Sequence, residues 1–256
     1  MTTVLVAGGT GTAGSAVVDE LHARGHRVRV LSRHAPATAR DGVEHVPGDL
    51  LTGSGLASAL AGVEVLVSAV NGVDRTSRPV FTDGARNLLR AAESAGVRRA
   101  VLLSIVGVDR VRFSYYRALT EQEKIYTSSA LETTVVRSTQ FHQLLRSIFA
   151  ASARVGLVPA VRGARFQPID PTDLARALAD AALNDGAGAR FEVGGPEIAT
   201  MRELAEAWKR ATGSRAVVLG LPVPGPPGRF LRRGLNLTPG NRYGSITFAQ
   251  FLADRG

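Results

Sequence analysis

The sequence predicts an α/β fold, a doubly wound parallel sheet, on three observations. The first is the stretch Val4-Leu5-Val6-Ala7-Gly8-Gly9-Thr10-Gly11-Thr12-Ala13-Gly14, a strand-sized apolar run followed by a glycine turn and then a helical pattern. The second is the alternation of short apolar runs with longer stretches of helical spacing, as in successive βαβ units. The third is that a run such as 63–69 is apolar apart from Glu64 and Ser68, which fits a strand covered on both faces. A chain of 256 residues with 45% hydrophobic content suits one large domain of this class, or one with a small appended lobe.

The first turn carries the most chemistry. Its glycines stand at 8, 11 and 14, and residues 15–24 follow as a helix stopped by Gly25. Strand, glycine turn and helix form the context of a dinucleotide fingerprint. A turn without side chains lets backbone approach a pyrophosphate, and a helix N-terminus offers free N–H groups and a positive dipole end. Gly14 lets helix and strand pack closely, and Thr10 and Thr12 add hydroxyl donors. The alternative is a glycine turn that binds nothing.

Residues 26–33 read as the second strand. At its end an acidic residue would bind a ribose 2′-hydroxyl and repel a 2′-phosphate. This chain has Ser32, Arg33 and His34 there, with Arg40 nearby, which favours NADP through charge-assisted contacts. Residues 43–50 form a third strand, with Asp49 placed to hydrogen-bond an adenine and Leu50 to lie against its ring. A helix over 54–61 and a fourth strand over 63–69 follow. Ala69, Val70 and Asn71 are expected to pass beneath the cofactor. Residues 79–95 form a long helix, ended by Gly96. The fifth strand, 99–104, places Ser104 at its carboxyl end, where open α/β sheets bind ligands. A loop over 105–113 leads to a helix from Ser114, and a sixth strand, 133–137, delivers Gln140, Phe141 and His142 to the same edge.

Beyond a helix over 141–153 the texture changes, which divides the chain into a core, 1–154, and a C-terminal lobe, 155–256, with segments returning to the core. A Gly/Pro-punctuated stretch covers 155–168. Asp170 caps the next helix, Pro171 suits its first turn and Asp173 favours its dipole, so both acids read as structural. A strand over 190–193, a helix over 201–212, a strand over 216–219, a stiff proline loop over 222–228 and a helix over 247–254 complete the chain. Trp208 reads as packing, and Arg229, Arg232 and Arg233 as a solvated basic edge or contacts for an acidic substrate.

The formal charge is +9. The basic residues are scattered, with no aromatic-interleaved stripe, so attraction of an anionic cofactor explains part of the charge and nucleic acid is not an expected partner. No run is long and apolar enough to span a bilayer, and no basic-then-apolar leader precedes the first strand. The chain contains no cysteine, which excludes disulfides, thiolate metal sites and a cysteine nucleophile. His22, His26, His34 and His45 lack metal-ligand spacing. The expectations are therefore a cytoplasmic protein, monomer or homodimer, with no metal and no membrane partner.

With these elements placed, the sequence resembles the atypical short-chain dehydrogenase/reductases of the NmrA-like, NAD(P)-binding group. The carriers are the Gly8–Gly14 turn, Gly48-Asp49-Leu50, residues 103–109, Tyr115-Tyr116-Arg117-Ala118, Glu121-Gln122-Glu123, residues 136–142 and Gln167-Pro168-Ile169, nearly the whole chain. The resemblance implies a Rossmann-type doubly wound parallel sheet with a small C-terminal substrate-binding lobe. It does not choose among reductases, isomerases and cofactor-sensing regulators, since fold does not set function.

One departure matters. Active members of that group show Tyr-x-x-x-Lys in the helix after Ser104, the lysine holding the nicotinamide ribose and tuning the tyrosine. Here the tyrosine aligns with Tyr115 and the lysine position holds Leu119; a shift by one gives Tyr116 and Thr120. A phenol without that lysine has a pKa of about 10 and donates rather than accepts protons near neutrality. The leading expectation is an NADP-dependent oxidoreductase acting on a carbonyl or activated double bond of a small organic molecule. Ser104 is its hydrogen-bond donor, Tyr115 its general acid, His142 an acid–base candidate, and Asn71, Tyr116, Gln140 and Phe141 line the pocket. Two other readings stay open: a non-redox isomerase, dehydratase or cyclase, and a cofactor-sensing regulatory protein without turnover.

Overall fold

A computed structural model describes residues 1–33, 41–72, 78–111, 113–184 and 190–254. The chain divides into two interleaved compact units. The first comprises Met1–Ser104, Arg112–Arg137 and Leu174–Phe191; the second comprises Ile105–Val111, Ser138–Asp173 and Glu192–Gly256. Residues 138–153, which the sequence reading groups with the core, belong to the second unit, and 174–191 return to the first.

The first unit alternates strand and helix. Its elements are β1 (Thr3–Ala7), α1 (Thr12–Ala23), β2 (Arg27–Ser32), β3 (Val43–Pro47), α2 (Leu56–Leu60), β4 (Val65–Ser68), a π-helical turn (Val80–Gly84) running into α3 (Ala85–Ser94), β5 (Arg99–Ile105), α4 (Ser114–Thr127) and β6 (Glu132–Ser138). Those strands and β9 (Arg190–Val193) form a seven-stranded sheet in the order β3-β2-β1-β4-β5-β6-β9. Val4 sits beside Val28 of β2 and Val65 of β4, both in parallel register. All four residues of β4 are buried, the polar Ser68 included, as expected of a strand covered on both faces. The core joins Leu5, Leu66 and Leu102 from strands to Leu60, Leu88 and Tyr126 from helices. The strand order reverses between β1 and β4, whose carboxyl ends make the topological switch point where ligands bind in such sheets.

In the second unit, α5 (His142–Ala153), β7 (Leu157–Val161), β8 (Arg165–Phe166), β10 (Ala199–Thr200), α7 (Met201–Thr212), β11 (Val217–Leu221), α8 (Gly225–Arg232) and α9 (Phe248–Asp254) surround a separate core. Helix α6 (Pro171–Leu183) runs from this unit into the first. Phe149 and Trp208 meet with ring centroids 6.1 Å apart, so Trp208 is a packing residue. Thr200 and Glu203 form a reciprocal capping box that starts α7.

The structure adds a strand in the second unit and shortens an expected loop. The stretch 155–168 contains β7, whose parallel partner β11 lies some sixty residues further on, a pairing no local pattern announces. Of the proline loop expected over 222–228, residues 222–224 stay non-helical and 225–228 start α8: Pro226 and Pro227 occupy its first turn, where a missing N–H costs nothing, and Phe230 anchors the helix in the interior. Among the described residues, no helix is long and apolar enough to cross a membrane.

Candidate functional site

The glycine turn is built as a cradle. Gly8 adopts φ +80°, open to glycine and strained for other residues, and a Cβ there would approach the Ala69 and Val70 backbone at 2.9 Å. Gly11 N donates to Gly8 O at 3.0 Å, closing the turn. A Cβ on Gly14 would land on the Gly8 carbonyl oxygen, so α1 reaches the turn only because residue 14 is glycine. The N-cap of α1 is Gly11, without a side-chain cap and with no acid in the first turn. Thr10, Gly11 and Thr12 are exposed. These features fit a dinucleotide: backbone can approach a pyrophosphate, and an uncapped helix end faces it with partial positive charge.

The flanks of this cradle come from neighbouring strand ends. Ser32 closes β2, and Arg33 follows it, exposed; His34 and Arg40 lie outside the described residues. Asp49 is engaged by its own loop, its Oδ1 accepting from Leu51 N at 2.7 Å and Thr52 N at 3.1 Å. Leu50 is half-buried and packs against the first unit's core, while Asn87 Nδ2 donates to its carbonyl at 2.9 Å. Ala69 is buried, with its N–H donating to Ala7 O at 2.9 Å. Val70 and Asn71 continue outward, Asn71 exposed.

Helix α4 brings the tyrosines to Asn71. Tyr115 Oη donates to Asn71 Oδ1 at 2.6 Å, and that oxygen also accepts from Gly72 N at 2.8 Å. Phe81 meets Tyr115 edge-on at 5.9 Å, Tyr116 stands 5.9 Å from Tyr115, and Phe113 meets Tyr116 edge-on at 5.5 Å. Burial, with a smaller contribution from neighbouring Tyr116, pushes the Tyr115 phenol up to about 12. Burial also raises Tyr116. Both are thus neutral donors at physiological pH. Leu119, one turn along, is buried, so the helix face that could carry a cation next to Tyr115 is aliphatic.

The next turn of that face holds Glu123, a resemblance motif residue to which the sequence assigns no role. Positions 115, 119 and 123 recur every four residues, one helix face, and Glu123 is 2% exposed. Its carboxylate receives a fork from Arg137 of β6, Nε to Oε1 at 2.8 Å and Nη2 to Oε2 at 2.7 Å. Arg190 Nη2 stands 3.7 Å from Oε2. Ser104 Oγ donates to Glu123 Oε1 at 2.5 Å. The sequence points to Ser104 as a donor to a substrate carbonyl; in the structure its hydroxyl, 4% exposed, serves Glu123 instead. A glutamate on an apolar helix face was the available signal, since a buried charge needs a partner.

Gln140, Phe141 and His142 belong to the second unit. Gln140 O accepts from Ile169 N at 2.9 Å, and Phe141, the half-buried N-cap of α5, bridges Ile169. His142 has no exposed surface. Its ring stacks on Phe251 at 5.1 Å and lies 5.6 Å from Phe248. Its Nε2 donates to Ile246 O at 3.0 Å. That is a packing histidine, and the acid–base expectation fails on access: no reacting group reaches a ring so enclosed. Asp173 clamps the same segment, Oδ2 accepting from Ser245 N at 2.8 Å and Ile246 N at 2.9 Å. Asp170 Oδ1 accepts from Thr172 N at 2.8 Å in the first turn of α6. Among the described residues, no three His, Cys, Asp or Glu side chains are grouped to hold a metal ion.

A family profile described as NAD(P)H-binding matches residues 8–185. The chloroplast protein high chlorophyll fluorescence phenotype 244 of Arabidopsis thaliana is 28% identical over 235 residues, 87% of this chain and 58% of that one. The 3-beta-hydroxysteroid dehydrogenase of Mycolicibacterium neoaurum is 33% identical over 111 residues, 38% of this chain and 30% of that one. The chain therefore spans less than two thirds of either relative. Among solved structures, an NADPH-dependent quinone oxidoreductase of Escherichia coli complexed with NADPH superposes with a TM-score of 0.84 at 20% identity, covering 98% of this chain and 99% of that one. At that identity the likeness speaks for the fold alone.

Proposed function

The chain belongs to the NAD(P)H-binding family, and from that premise we propose that it is an NADPH-dependent reductase of a small planar carbonyl or activated double bond. The observation that carries this reading is the Gly8–Gly14 cradle at the uncapped N-terminus of α1. Backbone N–H groups of that helix end would hold the pyrophosphate, and Ser32 and Arg33 the 2′-phosphate. The bound cofactor would supply a hydride.

The chain's own residues suit the reductive step at neutral pH. Tyr115, held near 12 by burial, keeps its proton at neutral pH and can donate it to an oxygen that becomes an alkoxide. An alkoxide is more basic than tyrosinate, so that transfer runs downhill, and water restores the phenol. The reverse reaction needs tyrosinate as base, which is scarce at such a pKa with Leu119 in place of a cation. Asn71 keeps the hydroxyl oriented until a substrate oxygen replaces it as acceptor. The aromatic side chains of Phe81, Tyr115, Tyr116 and Phe113 favour a planar acceptor. One observation favours a second reading, a cofactor-sensing protein without turnover: the same buried Leu119. A non-redox proton-transfer reading would have to run through Tyr115, since His142 is enclosed.

Calorimetric titration with NADPH, NADH and their oxidised forms tests the proposal. NADPH is expected to bind more tightly than NADH, with Arg33→Ala lowering NADPH affinity about tenfold or more and leaving NADH unchanged. Binding of neither form sinks the reading. Binding with no turnover on any quinone, enone or ketone moves the protein to the sensing class.

A further inference from the structure

The second unit carries an apolar sheet face that its own core leaves largely exposed. Strands β7 and β11 form a two-stranded parallel sheet. In register, Leu157 lies beside Val217, Pro159 beside Leu219 and Val161 beside Leu221. The alternate residues Val158 and Val218 turn inward and join the core around Phe149 and Trp208. Four of the six outer residues face solvent: Leu157 is 42% exposed, Val217 61%, Leu219 43% and Leu221 39%, while Pro159 and Val161 are half-buried and Val161 also touches the core. Val155, just before β7, is 77% exposed. Scattered exposed aliphatics need no explanation, but a contiguous row of them marks an interaction surface.

The charge around this face is of one sign. Residues 154–165 and 213–235, which contain both strands and α8, carry seven arginines (154, 162, 165, 215, 229, 232 and 233) and no acidic residue. All seven are exposed. Because the strands are parallel, Arg154 and Arg215 precede them at one end, while Arg162 follows β7 at the other, its Nε donating to Gly220 O at 3.1 Å. The acids nearest in sequence are Asp170 and Asp173, both buried, and Glu203 and Glu206 on α7, of which Glu203 is held in the capping box. Between Glu206 and Asp254 the chain has no acidic residue.

We propose that this face docks on an anionic lipid bilayer surface, the aliphatic row entering the headgroup boundary and the arginines pairing with lipid phosphates and carboxylates. Exposed aliphatics with a cationic rim are the two contributions that peripheral membrane association combines. A second copy of the chain is a poorer occupant, since a symmetric contact would bring the same arginines together without counter-charges. The expectation of no membrane partner rested on the lack of a spanning segment, and a surface-docking face needs none.

Flotation of the full chain with vesicles tests this. Vesicles of phosphatidylcholine mixed with phosphatidylserine are expected to carry the protein, and vesicles of phosphatidylcholine alone to leave it behind. Binding should vanish at about 1 M salt, where the screening length is about 3 Å. Arg154→Gln and Arg215→Gln should each weaken partition about fivefold, and Val217→Asp with Leu219→Asp should abolish it at an unchanged melting temperature. If the aspartate variant unfolds, the arginine variants and the salt series still decide. Equal binding to both vesicle types, no binding to either, or an unaltered affinity in the arginine variants overturns the proposal. So does equal affinity for soluble polyaspartate, because the aliphatic row would then contribute nothing. A dimer in sedimentation that Leu219→Asp dissociates would assign the face to a second copy instead.

Discussion

Gly14→Ala tests whether the turn is held to its shape by backbone-on-backbone contact. An alanine Cβ would fall on the Gly8 carbonyl oxygen, 2.7 Å from its carbon and 2.8 Å from Gly9 Cα. Van der Waals separation requires these atoms to withdraw by about 1 Å. The obstacle is backbone, and Gly8 is already committed to φ +80°, so no rotamer change relieves the clash. Overpacking of this kind costs about 1–3 kcal/mol, and the upper half of that range applies to an obstacle that cannot rotate. Alanine recovers about 1 kcal/mol of helix propensity. The net loss is about 1–2 kcal/mol, a fall in melting temperature of about 2–8 °C for a chain of this size. Gly11→Ala is the matched control. Its Cβ would meet only Gly8 O, at 3.4 Å, and position 11 has an ordinary φ of −82°, so the fold should lose only a few tenths of a kcal/mol. Its methyl does occupy the exposed cradle, so NADPH affinity should fall in both variants. Denaturant unfolding and cofactor titration read the two effects separately. A Gly14→Ala protein as stable as the parent, with unchanged cofactor affinity, would refute the reasoning.

Other changes probe the tyrosine helix. Glu123→Gln removes the carboxylate that Arg137 grips, and breaking such a buried pair should cost about 3–5 kcal/mol; a change of under about 1 kcal/mol in guanidinium unfolding would contradict the buried network. Tyr115 has a folded pKa raised from 10.0 to about 12, so the unfolded chain loses that proton first. Its stabilising contribution is complete below pH 10 and is lost as pH rises to about 12. The difference in phenolate absorbance between the parent and Tyr115→Phe should therefore appear only near the upper end of that window, and ionisation at or below pH 10 would show a hydrated phenol. Leu119→Lys should lower the Tyr115 pKa by bringing a cation one turn away while destabilising the fold, since position 119 is buried. Under the reductase reading its turnover with NADPH equals or exceeds that of the parent; turnover that disappears while cofactor binding persists would argue against Tyr115 as proton donor.

The sequence alone determined whatever depends on neighbours a few residues apart. The strand, glycine turn and helix of residues 3–23 are legible because each step follows from local spacing and from the missing side chains at 8, 11 and 14. The aliphatic Leu119 one turn from Tyr115 is legible for the same reason, standing where the resembled group carries its lysine. The fates of Ser104 and His142 were not legible. Ser104 sits at the expected strand end, yet its hydroxyl answers to Glu123, nineteen residues away on another element. His142 follows its strand as expected, yet Phe248, Phe251 and the Ile246 carbonyl enclose it from over a hundred residues on. The β7–β11 sheet has the same origin, a pairing across sixty residues, and with it came the exposed aliphatic row. Only the tertiary structure decided these, because burial and hydrogen-bond choice depend on which distant groups arrive, and side-chain spacing along the chain carries no record of that.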